Sequence, residues 1–294
     1  MQSDNKNKKA AIIIPARYNS SRLNGKPLLE VNGKPVIQYV YERALMVKNA
    51  DVVIVATDDE RICKKCVEFG ANVEMTDINH KSGSDRIGEV AKRHDDFEYI
   101  INLQGDEPLI NVEDVEKIIE VLKKEECQMA TLVRETEDKE EINNPNVVKC
   151  VFDKNNNAVY FSRSPIPYPR NEEFAEYFAH IGIYGYRRGS LFAMIGAQQS
   201  MLEKTESLEQ LRAFDLGFKI KVIQTDKKSV GIDTLEDFNN FKKMDNLIIS
   251  ATEPKKVSSL ATTAQTVNKI EEKPVMRFVQ MKYENNAQMV GVMQ

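Results

Sequence analysis

The alternation of short apolar runs with amphipathic stretches constrains this chain more than any other feature. AAIIIPA (10–16), VVIVAT (52–57), NVEMT (72–76) and EYIINLQGD (98–106) are brief and mostly rich in branched residues, as buried strands are. Between them, PVIQYVYERALMV (35–47), ERICKKCVEFG (60–70) and SDRIGEVAKRH (84–94) carry apolar residues at helical spacing, and VEDVEKIIEVLKKEE (112–126) follows the fourth run. Gly70 ends the second helix, and a Ser, Ser84, opens the third. Strand and helix in turn, joined by short connections, imply a mainly parallel sheet covered on both faces: a three-layer α/β/α sandwich.

From about Met129 the rhythm changes. MATLVRE, NVVKCVFD and NAVYFSRSPIPY read as strands, with DKNNN (153–157) as the turn between the last two. HIGIYGYRR is a further strand, SLEQLRAFDLG a helix, KIKVIQT a strand and TLEDFNNFKKM a closing helix. No repeat of solenoid length is present. After about Ser250 the sequence turns to Thr, Ser, Lys and Glu with weak periodicity, which reads as a linker or disordered tail. Within it VMRFVQMKY (275–283) alternates enough for a short strand.

With 294 residues, 41% of them hydrophobic, the chain can bury a sizeable core. A net charge of −4 excludes a general nucleic-acid surface, so any anion site must be local. No apolar run reaches the roughly 20 residues of a membrane span, and the opening MQSDNKNKKA is too polar for a signal peptide, so a cytoplasmic protein is expected. Cys63 and Cys66 have CxxC spacing, but Cys127 and Cys150 are isolated and no second pair or nearby His completes a zinc set. Two thiols on a helix is the plainer reading.

In a doubly wound sheet, ligands bind beyond the carboxyl ends of the strands. The first such loop, IIIPARYNSSRLNGKPL (12–28), gathers Arg17, Arg22 and Lys26 among Asn, Ser and Gly. That combination suits a triphosphate, although scattered cations on a solvated loop would read the same way. GKP lacks the Ser or Thr of a P-loop, and no GxGxxG follows the strand. Asp106, in LQGDEP, stands just past the fourth strand, where a carboxylate could hold Mg²⁺ against phosphate. Asp233, in SVGIDTLED, is either a second such acid or a helix N-cap in competition with Thr234.

Taken together, PARYNSSRLNGKPL, VATDDERI, HKSGSDRI, NLQGDEP, YFSRSPIP, HIGIYGYR, LEQLR and GIDTLED resemble, in order, the motifs of the 3-deoxy-manno-octulosonate cytidylyltransferases, the CMP-Kdo synthetases. The resemblance spans roughly residues 9–245. It implies a nucleotidyltransferase-like fold, with a nucleotide half over about 9–128 and a sugar-binding and dimerisation half over about 129–249. Residues 250–294 would be an extra tail. The implied reaction joins CTP and the acidic sugar Kdo into CMP-Kdo with release of pyrophosphate, for lipopolysaccharide assembly, with Mg²⁺ as cofactor and a homodimer as the working form.

Carried over by motif, the resemblance implies that Arg17, Arg22 and Lys26 grip the triphosphate and that Pro15, Ala16, Ser82, Gly83 and Arg86 form the cytidine pocket. Asp106 and Asp233 would bind the metal. Gln104, Arg163, His180, Tyr184, Glu209 and Gln210 would contact the sugar, with Arg163 on its carboxylate. Read without the family, His180 is a structural histidine, Tyr184 a core residue, and Glu209 and Gln210 surface residues of a helix. SGSDR stands where the family often has SGTER, and the loop 169–179 is shorter than in many members. Two alternatives remain at this point: a cytidylyltransferase for a related acidic sugar, such as 8-amino-Kdo or a nonulosonate, and a nucleotide-binding protein without turnover.

Overall fold

Among the described residues nine strands build one sheet, and one interior strand shows how the layers arise. The computed structural model describes residues 8–19, 23–228 and 231–252, with backbone only from 245. Strand β1 (Lys9–Ala16) lies between two parallel neighbours. Its alternate residues Ala10, Ile12, Ile14 and Ala16 enter one apolar core, and Ala11 and Ile13 enter the other. Burial on both faces explains why the strand reads as a continuous apolar run.

After β1 come a small hairpin of β2 (Glu30–Val31) and β3 (Lys34–Pro35), then α1 (Val36–Ala44), β4 (Val52–Thr57), α2 (Glu60–Glu68), β5 (Val73–Met75) and α3 (Gly83–Arg93). The chain continues through β6 (Phe97–Asn102), α4 (Val112–Lys124), β7 (Met129–Glu135), α5 (Lys139–Asn143), β8 (Lys149–Phe152) and β9 (Ala158–Ser162). It closes with β10 (Phe178–Arg187), α6 (Arg188–Gly196), α7 (Met201–Glu206), α8 (Arg212–Asp215), β11 (Ile220–Thr225) and α9 (Leu235–Thr252). The sheet order is β11-β7-β10-β6-β1-β4-β5. Only β10 runs against its neighbours on this path, and β8 and β9 extend from it as an antiparallel arm. Apolar residues of α1, α2 and α4 cover one face, and those of α3 and α6 the other. The mixed, mainly parallel three-layer sandwich expected from the sequence is the fold observed.

Several local expectations are refined. The third helix is capped by Ser82, not opened at Ser84: the Ser82 hydroxyl accepts from the Asp85 N–H and the Asp85 carboxylate accepts from the Ser82 N–H, both at 3.1 Å. SGSDR is thus a capping box, which Asp serves as well as Glu. SLEQLRAFDLG is not one helix. Ser207 is left-handed and Leu208 extended, so a short 3-10 turn (Glu209–Leu211) precedes α8. The strand in NAVYFSRSPIPY stops at Ser162, short of its prolines, which could not donate to a ladder. The turn at 153–157 forms as expected: the Asp153 carboxylate accepts from the N–H groups of Asn155 and Asn157, both at 2.8 Å. The expected strand at 275–283 lies outside the described residues. No helix among the described residues is long and apolar enough to cross a membrane.

Candidate active site

Three parallel strands, β1, β4 and β6, end at the same edge of the sheet, so the loops that follow them meet there. Two close approaches shape this edge. Gly25, at φ 70°, turns the loop after β1 back on itself through its N–H to the Tyr18 carbonyl (2.8 Å) and delivers Lys26 at the head of a 3-10 turn. Gly105 brings the loop after β6 against β1: a Cβ there would lie 2.9 Å from the Pro15 carbonyl oxygen. Between these loops and the start of α3 opens a cleft of about 370 Å³, lined by Pro15, Ala16, Arg17, Lys26, Gly83, Gln104 and Asp106 among others.

At one end of the cleft the Lys26 ammonium sits 2.5 Å from Asp106 Oδ2 and 3.3 Å from Asp233 Oδ1. Lys26 is buried, and a buried ammonium is stable only when paired. Asp233 is held from below by two links. The Ile232 N–H donates to the Asp106 carbonyl at 2.8 Å, and the Asp233 N–H donates to the Asp237 carboxylate at 3.0 Å. Thr234, not Asp233, caps α9, its hydroxyl accepting from the Asp237 N–H at 3.1 Å. The Asp233 side chain is therefore turned toward Lys26 instead of being spent on the helix end.

Burial, and next to it the neighbouring Arg86 guanidinium, lower the proton affinity of Arg17, with Asp58, Asp85 and Glu209 opposing. Arg17 remains a cation in any case and lines the cleft, where its guanidinium can meet an anion. Arg86 itself is fully buried and stands behind the cleft instead of lining it. It donates to Thr76 and, at 2.7 Å, to Asp58, while its Nε has no partner among the described residues. Arg22 lies outside the described residues.

A second cavity, of about 430 Å³, opens where β10 crosses β7, and Asp233 lines it too. Its wall is made by a bulge. Ile181 pairs with Leu132 and Tyr184 with Thr131, so Gly182 and Ile183 are extra residues in β10. In a regular strand, residues four apart lie about 13 Å from each other. The bulge brings the His180 and Tyr184 rings to 5.4 Å. Thr131, wholly buried, pins it by donating to the Ile183 carbonyl at 2.9 Å. Its hydroxyl oxygen lies 2.9 Å from His180 Nε2. With the hydroxyl proton committed to Ile183, Nε2 is the donor and Nδ1 is left as an acceptor. Burial drives the His180 pKa down to about 3, so the ring is neutral at physiological pH, and burial likewise pushes the Tyr184 phenol well above its ordinary value.

The structure therefore divides the residues named from sequence. His180, Tyr184, Gln210 and Asp233 meet in the second cavity, while Pro15, Ala16, Arg17, Lys26, Gly83, Gln104 and Asp106 line the first. Gln104 thus lines the first cavity with Lys26 and Asp106, apart from His180, Tyr184 and Gln210. The Ser82 hydroxyl is occupied by the helix cap. Glu209 turns to Ser84, and burial raises its pKa. Arg163 is not brought to either cavity. Its guanidinium donates to the carbonyls of Glu206 (2.7 Å), Pro145 (2.9 Å) and Ser207 (3.3 Å), which fastens the end of β9 to α7. Residues that the sequence did not single out, Glu107, Arg134, Glu141 and Lys228, complete the second cavity. They stand on four separate segments, so no spacing could have signalled them.

Asp106 and Asp233 offer hard oxygen donors on one ammonium, a pair that fits Mg²⁺, which commonly takes one or two carboxylates and fills its shell with phosphate and water. No group of three or more His, Cys, Asp or Glu side chains suited to a metal occurs among the described residues, and Cys63 and Cys66 form no such site.

The family model of cytidylyltransferases matches residues 11–221. A 3-deoxy-manno-octulosonate cytidylyltransferase of Fusobacterium nucleatum is 48% identical over 241 residues, which is 81% of this chain and 98% of that protein. An 8-amino-3,8-dideoxy-manno-octulosonate cytidylyltransferase of Shewanella halifaxensis is 45% identical over 77% of this chain and 94% of its own length. Among solved structures, a CMP:2-keto-3-deoxy-manno-octonic acid synthetase complexed with CTP superposes with a TM-score of 0.79 at 44% identity, covering 82% of this chain and all of that one. A 4-diphosphocytidyl-2C-methyl-D-erythritol synthase of Anaerococcus prevotii, at 20% identity and a TM-score of 0.56, shares the fold. The chain belongs to the cytidylyltransferase family, among the 3-deoxy-manno-octulosonate enzymes.

Proposed function

We propose that this enzyme joins CTP to 3-deoxy-manno-octulosonate, giving the CMP-sugar and pyrophosphate for lipopolysaccharide assembly. One observation carries the reading. Lys26, in the first cavity, pairs with Asp106 on its own side and with Asp233 of the second cavity, so the acid pair stands at the boundary between two sites. A reaction that joins two substrates without a covalent enzyme intermediate calls for that arrangement, because its catalysis is positioning and charge neutralisation.

In this reading the cytidine lies along Pro15, Ala16 and Gly83, where backbone groups can distinguish its exocyclic amine and carbonyl. Arg17 and Lys26, with Arg22, hold the triphosphate. Asp106 and Asp233 would hold Mg²⁺, which when bound would supply positive charge to the phosphate oxygens. The sugar lies in the second cavity. Neutral His180 accepts a hydrogen bond from a sugar hydroxyl at Nδ1, the Tyr184 phenol and Gln210 add donors and acceptors, and the anomeric 2-hydroxyl faces the α-phosphorus across Asp233. Attack in line forms the new oxygen–phosphorus bond as the bond to pyrophosphate breaks, and the hydroxyl proton is lost to water. We also propose a homodimer formed through the β8–β9 arm and the segment to 178, where Val159, Tyr168 and Phe174 are 60%, 83% and 75% exposed. The expected site of action is the cytoplasm, where CTP is made.

The test is pyrophosphate release from CTP and Mg²⁺ with Kdo, 8-amino-Kdo and a sialic acid in separate reactions. Release with Kdo at the highest kcat/KM is expected. Release only with another sugar would overturn the substrate, and no release from a folded, CTP-binding protein would overturn the activity.

A further inference from the structure

The loop that leads into α3 is held by side chains that the reading above leaves unused. Residues 77–82 run from the end of β5 to the capped start of α3, and Asp77, Ile78 and Asn79 lie exposed. Ile78 is 71% exposed, so the loop has no apolar anchor at its crest. The Asp77 carboxylate accepts from the Asn79 N–H at 2.7 Å, which shapes the turn locally.

The ties to the body of the fold come from one stripe of α3. Asp85, Glu89 and Arg93 are spaced four residues apart and so share a helix face. Asp85 receives the Ser82 N–H at the cap. Glu89 Oε2 accepts from the Asp77 N–H at 2.8 Å and lies 2.5 Å from His80 Nε2. Burial works to raise the Glu89 pKa, but the Asp77 N–H, His80 and Arg93 outweigh it and lower it. The group is therefore a carboxylate, and His80 Nε2 is the donor. Arg93 donates to the other oxygen of Glu89 and, at 2.9 Å, to the Met75 carbonyl. The incoming chain is thus fastened back onto the helix it is about to enter. Among the described residues, both bonds from 77–81 to that helix end on one atom, Glu89 Oε2.

This junction borders the first cleft. Gly83 lines it, and a Cβ there would lie 3.3 Å from Pro15 Cγ, so the helix start has little room to shift toward β1. Cytosine carries an amine donor where uracil carries a carbonyl acceptor. Backbone groups tell the two apart only when held at hydrogen-bond distance and angle, because the bond weakens steeply away from both. We infer that Glu89 is a positioning residue for nucleobase recognition: it fixes segment 77–82 so that the backbone at the start of α3 meets cytosine in preference to uracil. The inference rests on the reading of the first cleft as the nucleotide site. Glu89 stands six residues beyond Gly83, about 9 Å along the helix axis, and acts through Asp77 and His80. Holding the loop in advance lowers the ordering cost of binding.

The experiment measures Kd for CTP and for UTP in the presence of Mg²⁺, the Kdo KM at saturating CTP, and Tm, in wild type, Glu89→Ala, Glu89→Gln and His80→Ala. Glu89→Ala removes both ties and is expected to weaken CTP binding about ten-fold while UTP binding barely changes, so the preference for CTP shrinks by the same factor. The Kdo KM should stay put. Glu89→Gln keeps an oxygen for both donors and should restore most of the CTP affinity. His80→Ala removes one tie from a surface loop, leaves the helix untouched and should fall between them. An unchanged CTP-to-UTP preference in Glu89→Ala and His80→Ala would overturn the inference, whatever happens to Tm. An equal loss for both nucleotides, or a Glu89→Gln variant no better than Glu89→Ala, would overturn it as well. A folded wild type that binds neither nucleotide is a different outcome, which overturns the reading of the cleft itself.

Discussion

The cleft proposed for the nucleotide and the cavity proposed for the sugar adjoin across Asp233, yet they are built in different ways. The cleft is made where three parallel strands stop, from residues clustered on loops that immediately follow β1 and β6 and from the cap of α3. The sugar cavity depends on a distortion, the two-residue bulge in the antiparallel strand β10, and on side chains from β7, α5 and the segment after β11. A strand end is a consequence of the fold and recurs wherever the fold does. A bulge is a local choice, and it sets which sugar groups can be met. The difference teaches that recognition of the nucleotide rests on architecture, whereas recognition of the second substrate rests on details that can be altered without touching the architecture.

Three changes would break or sharpen that contrast. Asp106→Asn acts at the boundary and should stop both substrates from reacting. Turnover is expected to fall by about 10³-fold, the scale of losing one electrostatic contact to a reacting group, with the Tm nearly kept because Asp106 is partly exposed. Steady-state kinetics and a melting curve together check this, and near-normal turnover would overturn the proposal that Asp106 holds a metal.

Thr131→Val acts on the bulge alone. It deprives the Ile183 carbonyl and His180 Nε2 of their partner in a wholly buried place, at a cost of about 1–3 kcal/mol. The Kdo KM should rise by about ten-fold while the CTP KM stays put. Equal effects on both would mean that the two regions are not separable as argued.

The third change concerns pH, and its effect is smallest near neutrality. The folded pKa of His180, about 3, lies below its ordinary value of 6.5. Between those limits the unfolded chain binds the extra proton and the folded one does not, so stability falls as pH drops below about 6.5 and stops falling near 3. His180→Gln should flatten that part of the Tm–pH curve. Between pH 7 and 8 the ring stays neutral, and no change in Kdo KM should trace to it.

Much of this molecule was legible in the chain of residues. Strands β1, β4 and β7, both faces of the sheet and the edge that carries Lys26 and Asp106 follow from apolar runs and their spacing, because burial on two faces demands such runs. Helix α6, RGSLFAMIG, was not legible: it has no polar face to mark a helical period. The break before α8 was hidden because Ser207 takes a left-handed conformation that its residue type does not announce.

For the site, the sequence alone determined which charged residues stand just beyond strand ends, and motif resemblance determined the family. Tertiary structure decided the rest. It released Asp233 from capping by giving that task to Thr234, turned the Arg163 guanidinium to three backbone carbonyls, and gathered Arg134, Glu141 and Lys228 from three segments. The physical reason is one of range. Hydrophobic period and capping act over a few residues and leave a trace in order, whereas the partner of a charge is chosen in space, among groups that the chain brings together only when it is folded.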